Sequence, residues 1–197
     1  MWTTLSARPL PMRSPPRDDA GHQIRPRAAT WPTDPYQALE RLYDEQAAPL
    51  HRFVHGMTGR REDADDVIQT LWLKLADDPT RLSTLSSPTA YLWTMARNQV
   101  RSLLRRQSLE RFWTPSRDED DEPPQCDDGS LSPEERQDLR RAVARLSARL
   151  RAVVLLVAFD GCTLEEAALR LDIPRGTVAS RYHAAIQKLQ HRLGGSR

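Results

Sequence analysis

A chain of 197 residues that is 39% hydrophobic and 28% charged, with a formal net charge of +2, holds one sizeable core or two small ones. Charge near neutrality does not exclude nucleic acid, because opposite charges can be segregated into blocks. No run of about 18 apolar residues is present for a membrane span, nothing near the N-terminus has a signal peptide's apolar stretch, and Cys126 and Cys162 match neither a zinc spacing nor a disulfide framework, so a reducing, cytoplasmic setting is the default.

Residues 1–35 are rich in Pro and Arg, carry no apolar period and are expected to form a disordered extension. From Tyr36 the chain turns helical in period: Leu39, Leu42, Tyr43, Leu50, Phe53, Val54 and Met57 predict one amphipathic helix ending near Gly59. A second pattern runs Ala64, Val67, Ile68, Leu71, Leu75, with Asp63, Asp65 and Asp66 in the first turn, where carboxylates suit the helix dipole. A third starts with Pro88 at a first helical position and continues through Leu92, Met95, Ala96, Val100 and Leu103. Three such helices can share one core.

The composition then shifts. RDEDDEPPQCDDG, from Arg117 to Gly129, is acidic, Pro-broken and of linker type. Beyond it Ser132-Pro133-Glu134-Glu135 is a capping box opening a helix with Leu139, Val143, Leu146 and Leu150 on its apolar side. A further apolar helix, Leu150 to Phe159, is stopped by Asp160-Gly161. No alternating strand pair with a hairpin turn is seen, so the expected fold is all-α, two small helical domains joined by a flexible acidic linker. The expected boundaries are 36–111 for the first domain, 112–131 for the linker and 132–193 for the second domain.

Thr163 is placed as an N-cap with Glu166 three residues on. Leu164, Ala167, Ala168 and Leu171 form that helix's inward face, and Asp172-Ile173-Pro174 breaks it. A new helix begins near Gly176 with Val178, Tyr182, Ile186 and Leu189 inward. Two helices joined by so short a turn form a helix-turn-helix, whose second helix enters the major groove. Arg175, Thr177, Ala179, Ser180, Arg181 and His183 then point outward, short or cationic groups suited to phosphates and base edges. An ordinary helical hairpin with a solvated face is the alternative.

AYLWTMARNQVRSLLRRQ, Ala90 to Gln107, interleaves Tyr91 and Trp93 with Arg97, Arg101, Arg105 and Arg106. Such a helix suits a single strand, because Arg follows the backbone while rings stack on bases. Equally, the rings can fill the core and the arginines face water. Lys74 and Lys188 are the only lysines; arginine is the better bidentate donor to phosphate, although a coding bias explains the same composition.

DDVIQTLWLKL (Asp65–Leu75), SPTAYLWTMARNQVRSLLRRQ (Ser87–Gln107) and the Thr163–Leu189 helix pair, in that order, resemble a bacterial sigma factor of the extracytoplasmic-function (ECF) type. The resemblance covers about Tyr36 to Leu193. It implies a partner, core RNA polymerase, met through the β′ clamp helices at Asp66, Gln69, Thr70, Trp72 and Leu75, with the second domain on the β flap. Thr70 stands where the family has Glu or Asp. It implies that Tyr91, Trp93, Arg97, Asn98, Arg101 and Arg105 melt and read the −10 element of promoter DNA. Arg175, Thr177, Ser180, Arg181 and His183 would meet the −35 element, with Ala179 and Ala184 where many relatives carry Arg or Lys. An anti-sigma factor, membrane-anchored in some relatives, is a further implied partner. The linker would enter the polymerase's RNA channel. RRQSLERF, Arg105 to Phe112, resembles the iron-starvation subgroup. No catalytic residue, cofactor or metal is expected.

Two other readings compete. An operator-binding regulator explains the helix pair equally well but not the Asp66-Gln69-Trp72 set together with the Arg/Asn/aromatic helix. A metal-dependent enzyme would use Asp63, Asp65 and Asp66, or His51 and His55 at i,i+4 spacing; the acids are accounted for by the helix dipole, and the His pair lacks a nearby third ligand. Cys162, beside the cap, reads more simply as a small core residue than as a nucleophile.

Overall fold

The computed structural model describes residues 31–113 and 132–194, with side chains described for 31–107 and 132–193. Most of the expected extension, nearly all of the acidic linker with Cys126, and the C-terminal half of RRQSLERF's side chains lie outside these described residues. The described part is all-α, with no strand.

Helix α1 (Pro35–Thr58) starts where Asp34 accepts from the amides of Tyr36 and Gln37 and Pro35 needs no partner for its nitrogen. It ends at Gly59, whose φ of 77° is the left-handed cap that glycine adopts without steric cost. Pro49 lies inside this helix; its flank is held by the buried Leu50, Phe53 and Val54, so packing overrides the lost helical hydrogen bond. Helix α2 (Arg61–Asp77) buries Ala64, Val67, Leu71 and Leu75. A short helix α3 (Thr80–Thr84), not foreseen in the sequence, inserts Leu82 into the same core. Helix α4 (Pro88–Trp113) buries Leu92, Trp93, Ala96 and Val100 against α1 and α2. Trp31, within the segment expected to be extension, packs against this core with the Arg41 guanidinium 5.1 Å from its ring centroid.

The C-terminal helices are α5 (Pro133–Ala144), α6 (Ala148–Val154), α7 (Leu164–Leu171) and α8 (Arg175–Gly194). Both expected capping boxes form, Ser132 with Glu135 and Thr163 with Glu166, each of a kind worth about 1 kcal/mol. The sequence reading ran one helix on to Leu150, whereas α5 stops at Ala144 and α6 opens after Ser147. Leu146 therefore reaches the core from the turn. Beyond Val154, α6 widens into a π-helical segment, Leu155–Phe159.

Two apolar clusters result. The smaller one joins α5, α6 and α8 through Ala142, Val143, Leu146, Val154, Ala185 and Leu189. The larger one begins in α1, α2 and α4 and continues without interruption into Val153, Leu155 and Leu156 and on to Ala167, Leu171 and Val178. The two helical domains are thus packed against each other. At Gly56 a Cβ would stand 2.6 Å from Leu155 Cδ2, so a larger residue here would require the Leu155 side chain to shift. Nearby, Arg151 Nη1 donates to the carbonyl of Met57 at 3.0 Å.

Candidate nucleic-acid and polymerase interfaces

The α2 helix separates its residues by register. Ala64, Val67, Leu71 and Leu75, spaced by three and four, form its buried side. Leu75, expected at the polymerase interface, is only 2% exposed and belongs to the core. Asp66 and Gln69 are exposed and Thr70 is half-buried. Leu73, seven residues after Asp66 and so on its face, is 63% exposed. It is the apolar residue that the sequence reading missed on this face, although continuing the Asp66–Gln69 spacing by one turn would have found it. Trp72 is half-buried and meets the ring of Tyr43 edge-on at 4.9 Å between centroids. Its indole Nε1 has no hydrogen-bond partner among the described residues.

Along α4 the same analysis splits the six residues expected on promoter DNA. Tyr91, Asn98, Arg101 and Arg105 recur at seven, three and four, which places them on one face together with Thr94. Asn98, Arg101 and Arg105 are exposed, while Tyr91 is half-buried with Arg81 5.8 Å from its ring centroid. Trp93 lies on a different face, and Arg97, three residues after Thr94 and four before Arg101, stands at the edge of this one. Trp93 is fully buried; its ring meets Phe53 edge-on at 5.2 Å and its Nε1 donates to Gln46 Oε1 at 3.0 Å. In this arrangement it has no surface to offer a base. Arg97 is turned into the contact with α7: Nη1 donates to the Leu171 carbonyl, Nη2 donates to Thr94 Oγ1 at 3.0 Å, and Asp172 Oδ2 is 3.6 Å away. Burial lowers the Arg97 pKa, with Asp172 opposing the shift.

In the C-terminal helix pair, the chain leaves α7 through Asp172, which has a φ of 51°, a left-handed value that Asp tolerates better than most residues. The amide of Ile173 donates to the Ala168 carbonyl at 3.2 Å, closing the helix end. Partly buried Ile173 packs on the larger cluster, and α8 starts at Arg175, one residue before the expected Gly176. Val178 and Leu189 are buried as expected, whereas Tyr182 and Ile186 are half-buried and the missed Ala185 is fully covered. Of the residues expected on the −35 element, Arg175, Ser180 and His183 are exposed and Thr177 and Arg181 are half-buried. Arg175 Nε donates to Glu165 of α7, and the Glu165 carboxyl is held below its usual range by its own backbone amide first and then by Arg175. Ser180 Oγ donates to the Thr177 carbonyl at 3.1 Å.

The residues that the metal reading would use are engaged otherwise. His51 Nε2 lies 2.9 Å from Asp65 Oδ1, His51 stacks on His55 at 6.2 Å, and Asp63 accepts from Gln107 Nε2 at 2.7 Å. No three of His, Cys, Asp and Glu converge to hold a metal among the described residues. Cys162 is buried beside Asp160 and Arg170, and burial pushes its thiol up to about 12, which leaves it protonated and a poor nucleophile. No helix among the described residues is long and apolar enough to cross a membrane.

Two family models match the two helical domains, Sigma-70 region 2 over residues 42–110 and Sigma-70 region 4 over residues 136–189. A bundle carrying the α4 face, followed by a helix-turn-helix, is thereby defined as a sigma-70-type transcription initiation factor. Relatives narrow the class. The ECF RNA polymerase sigma factor SigL of Mycobacterium tuberculosis is 33% identical over 154 residues, covering 77% of this chain and 86% of SigL. The ECF RNA polymerase sigma factor RpoE of Cereibacter sphaeroides is 33% identical over 137 residues, covering 67% and 71%. The ferric citrate uptake sigma factor FecI of Escherichia coli is 30% identical over 132 residues, covering 64% and 73%. This chain belongs to the ECF sigma factors, which bind core RNA polymerase and direct promoter recognition and melting. The two sigma regions in order on one chain favour this over an operator-binding regulator.

The fold is similar to two solved structures. One is the sigma factor RpoE in complex with the anti-sigma factor NepR from Bartonella quintana, with a TM-score of 0.60 at 23% identity, covering 82% of this chain and 98% of that one. The other is CnrH in complex with the cytosolic domain of CnrY, with a TM-score of 0.56 at 20% identity, covering 82% and 91%.

Proposed function

We propose that this ECF sigma factor works in the cytoplasm through three separate faces. Asp66, Gln69, Thr70, Trp72 and Leu73 on α2 meet the β′ clamp helices of core polymerase. Tyr91, Asn98, Arg101 and Arg105 on α4 capture the unpaired −10 strand. Arg175, Thr177, Ser180, Arg181 and His183 at the start of α8 meet the −35 element, with the second domain on the β flap. The observation that carries this reading is the shared, outward register of Tyr91, Asn98, Arg101 and Arg105.

A duplex hides the Watson–Crick edges of its bases, so sequence on a melted strand is read only after a base is unstacked, which costs a few kcal/mol per step. Asn98 supplies a donor and an acceptor on one planar group, a match for one such edge. Arg101 and Arg105 hold phosphates, and Tyr91 offers a ring on which a base can stack. Core polymerase keeps the chain in register while these contacts form, and the second domain fixes direction on the duplex. Covalent chemistry remains with the polymerase.

Regulation by an anti-sigma factor is supported by the similar structure of the sigma factor RpoE in complex with the anti-sigma factor NepR. Iron-responsive transcription is supported by the likeness to FecI, which is lower than the likeness to SigL and to RpoE. A promoter reporter that responds to this chain under iron depletion and not under other envelope stresses tests the iron reading. Permanganate footprinting of a promoter opened by core polymerase with this chain tests the α4 face: Asn98→Ala should lose the open-strand signal while still binding core. Equal loss of both would remove Asn98 from the site.

A further inference from the structure

Where the described chain begins, it is fastened beside the strand-reading face. Trp31 packs on the larger cluster with the Arg41 guanidinium of α1 5.1 Å from its ring centroid, and Arg41 Nε donates in turn to Glu45 Oε1 at 2.8 Å. Two residues on, the Thr33 carbonyl accepts from Ser83 Oγ of α3 at 3.5 Å. Ser83 is two positions from Arg81, whose guanidinium lies 5.8 Å from the ring centroid of Tyr91, the first residue of the α4 face. The chain therefore enters α1 by way of α3, and α3 borders the Tyr91 end of that face.

The opposite flank of α1 is taken. Arg41 and Tyr43 are two positions apart, about 200° of rotation on a helix of about 3.6 residues per turn, and Tyr43 meets Trp72 of α2 edge-on. The entry point at Trp31 thus lies on the side of α1 turned away from α2, and so away from the Asp66, Gln69 and Leu73 side proposed for core polymerase. Residues 1–30 precede it. They carry Arg8, Arg13, Arg17, Arg25 and Arg27 against Asp18 and Asp19, a formal +3, whereas the whole chain is at +2, so the remainder is slightly acidic. The α4 face has Arg101 and Arg105 at its far end, roughly 20 Å from Tyr91 at about 1.5 Å per residue. A strand followed past Tyr91 leaves those two cations behind. At about 3.3 Å per residue, the preceding segment can track it for up to roughly 100 Å.

We propose that the N-terminal arginines are a further nucleic-acid contact: tethered at Trp31 beside α3, they bind phosphates of the melted promoter strand where it leaves the α4 face past Tyr91. The proposal rests on the sigma-factor reading and deepens it, adding to the two DNA readers a segment that holds without reading. Guanidinium pairs bidentately with phosphate, and such contacts supply affinity and salt dependence but no sequence preference. The extension steadies the open strand while Asn98 selects the base.

The test uses the full chain on core polymerase with a promoter selected by the wild-type holoenzyme from random-sequence DNA and then pre-opened as a mismatched bubble. The comparison is a chain carrying Arg8→Gln, Arg13→Gln, Arg17→Gln, Arg25→Gln and Arg27→Gln. Its affinity for the bubble should fall, and its slope of log affinity against log salt should be smaller in magnitude by about 2 or more, at about 0.7 per single-strand phosphate contact. Affinity for core polymerase should stay unchanged. Lysine at the same five positions should keep the wild-type slope. An unchanged slope in the glutamine chain, or a lysine chain whose slope falls equally, overturns the proposal. Ala28→Cys bearing an azidophenacyl group, in a Cys126→Ser background where Cys162 is buried, should cross-link to the melted strand. Cross-linking to a polymerase subunit or to duplex DNA instead overturns it as well. If the wild-type chain forms no complex with core polymerase, the sigma reading fails. The salt slopes of the wild-type and glutamine chains on the single-stranded oligonucleotide alone then decide whether these arginines bind strand phosphates.

Discussion

The indole of Trp93 on α4 donates to Gln46 Oε1 on α1 at 3.0 Å, with Phe53 against its ring, so this tryptophan ties the two longest helices of the N-terminal half together. Its burial is complete. Trp93→Ala should lower stability by about 3–5 kcal/mol, the range for emptying so large a buried site. Trp93→Phe should cost less, since a ring remains while Gln46 loses its donor. Urea denaturation followed by circular dichroism measures both; a change below about 1 kcal/mol for Trp93→Ala would contradict a core role.

Leu73 gives the opposite expectation. A leucine 63% exposed beside Asp66 and Gln69 contributes little to folding but is suited to an interface. Leu73→Asp should leave the unfolding midpoint nearly unchanged and weaken binding to core polymerase by about tenfold or more, read by fluorescence anisotropy. Leu75→Asp should instead unfold the chain, because its side chain is in the core.

Removing the cap at Thr163 tests how the C-terminal helix pair is built. Thr163 Oγ1 accepts from the Glu166 amide at 3.1 Å and Glu166 Oε2 accepts from the Thr163 amide at 2.8 Å. Thr163→Ala should cost about 1 kcal/mol of stability. Thr163→Ser should restore most of it.

Cys162 supplies a pH dependence. Burial raises its thiol to about 12, the nearby Arg170 opposing this, whereas an unfolded cysteine ionises near about 8.5. The fold's preference for the neutral thiol is therefore fully present below that lower value and is lost as the pH rises from there toward about 12. In a Cys126→Ser background at pH 8, a disulfide reagent should label the native thiol at least about a hundredfold more slowly than the urea-unfolded one. Equal rates would mean that the thiol is not covered.

Much of this was legible in the sequence because it is local. The glycine stop at Gly59, the two capping boxes, Pro88 at the head of α4 and the Asp172-Ile173-Pro174 break each act within a few residues, and each appears where the pattern put it. Leu75 shows where a family position misleads: the spacing Ala64, Val67, Leu71, Leu75 already assigned it to the core, and Leu73 was the residue left outside. Trp93 could not be decided by its interleaving with arginines, since core and nucleic-acid readings share that pattern. Burial depends on Phe53 and Gln46, 40 and 47 positions back in the chain. The packing of α7 on α4 was not readable at all. It is a contact across more than 70 residues, Arg97 to Leu171, and the acidic segment between them suggested separation rather than contact.

The central claim is that this chain is a polymerase subunit anchored by the exposed side of α2, and co-elution with core RNA polymerase on size exclusion tests it most directly. The wild-type chain should co-elute as a stable complex, and Trp72→Ala and Leu73→Asp should each weaken that complex while remaining folded. Absence of any complex at low salt, with promoter DNA still bound by the chain alone, would contradict it.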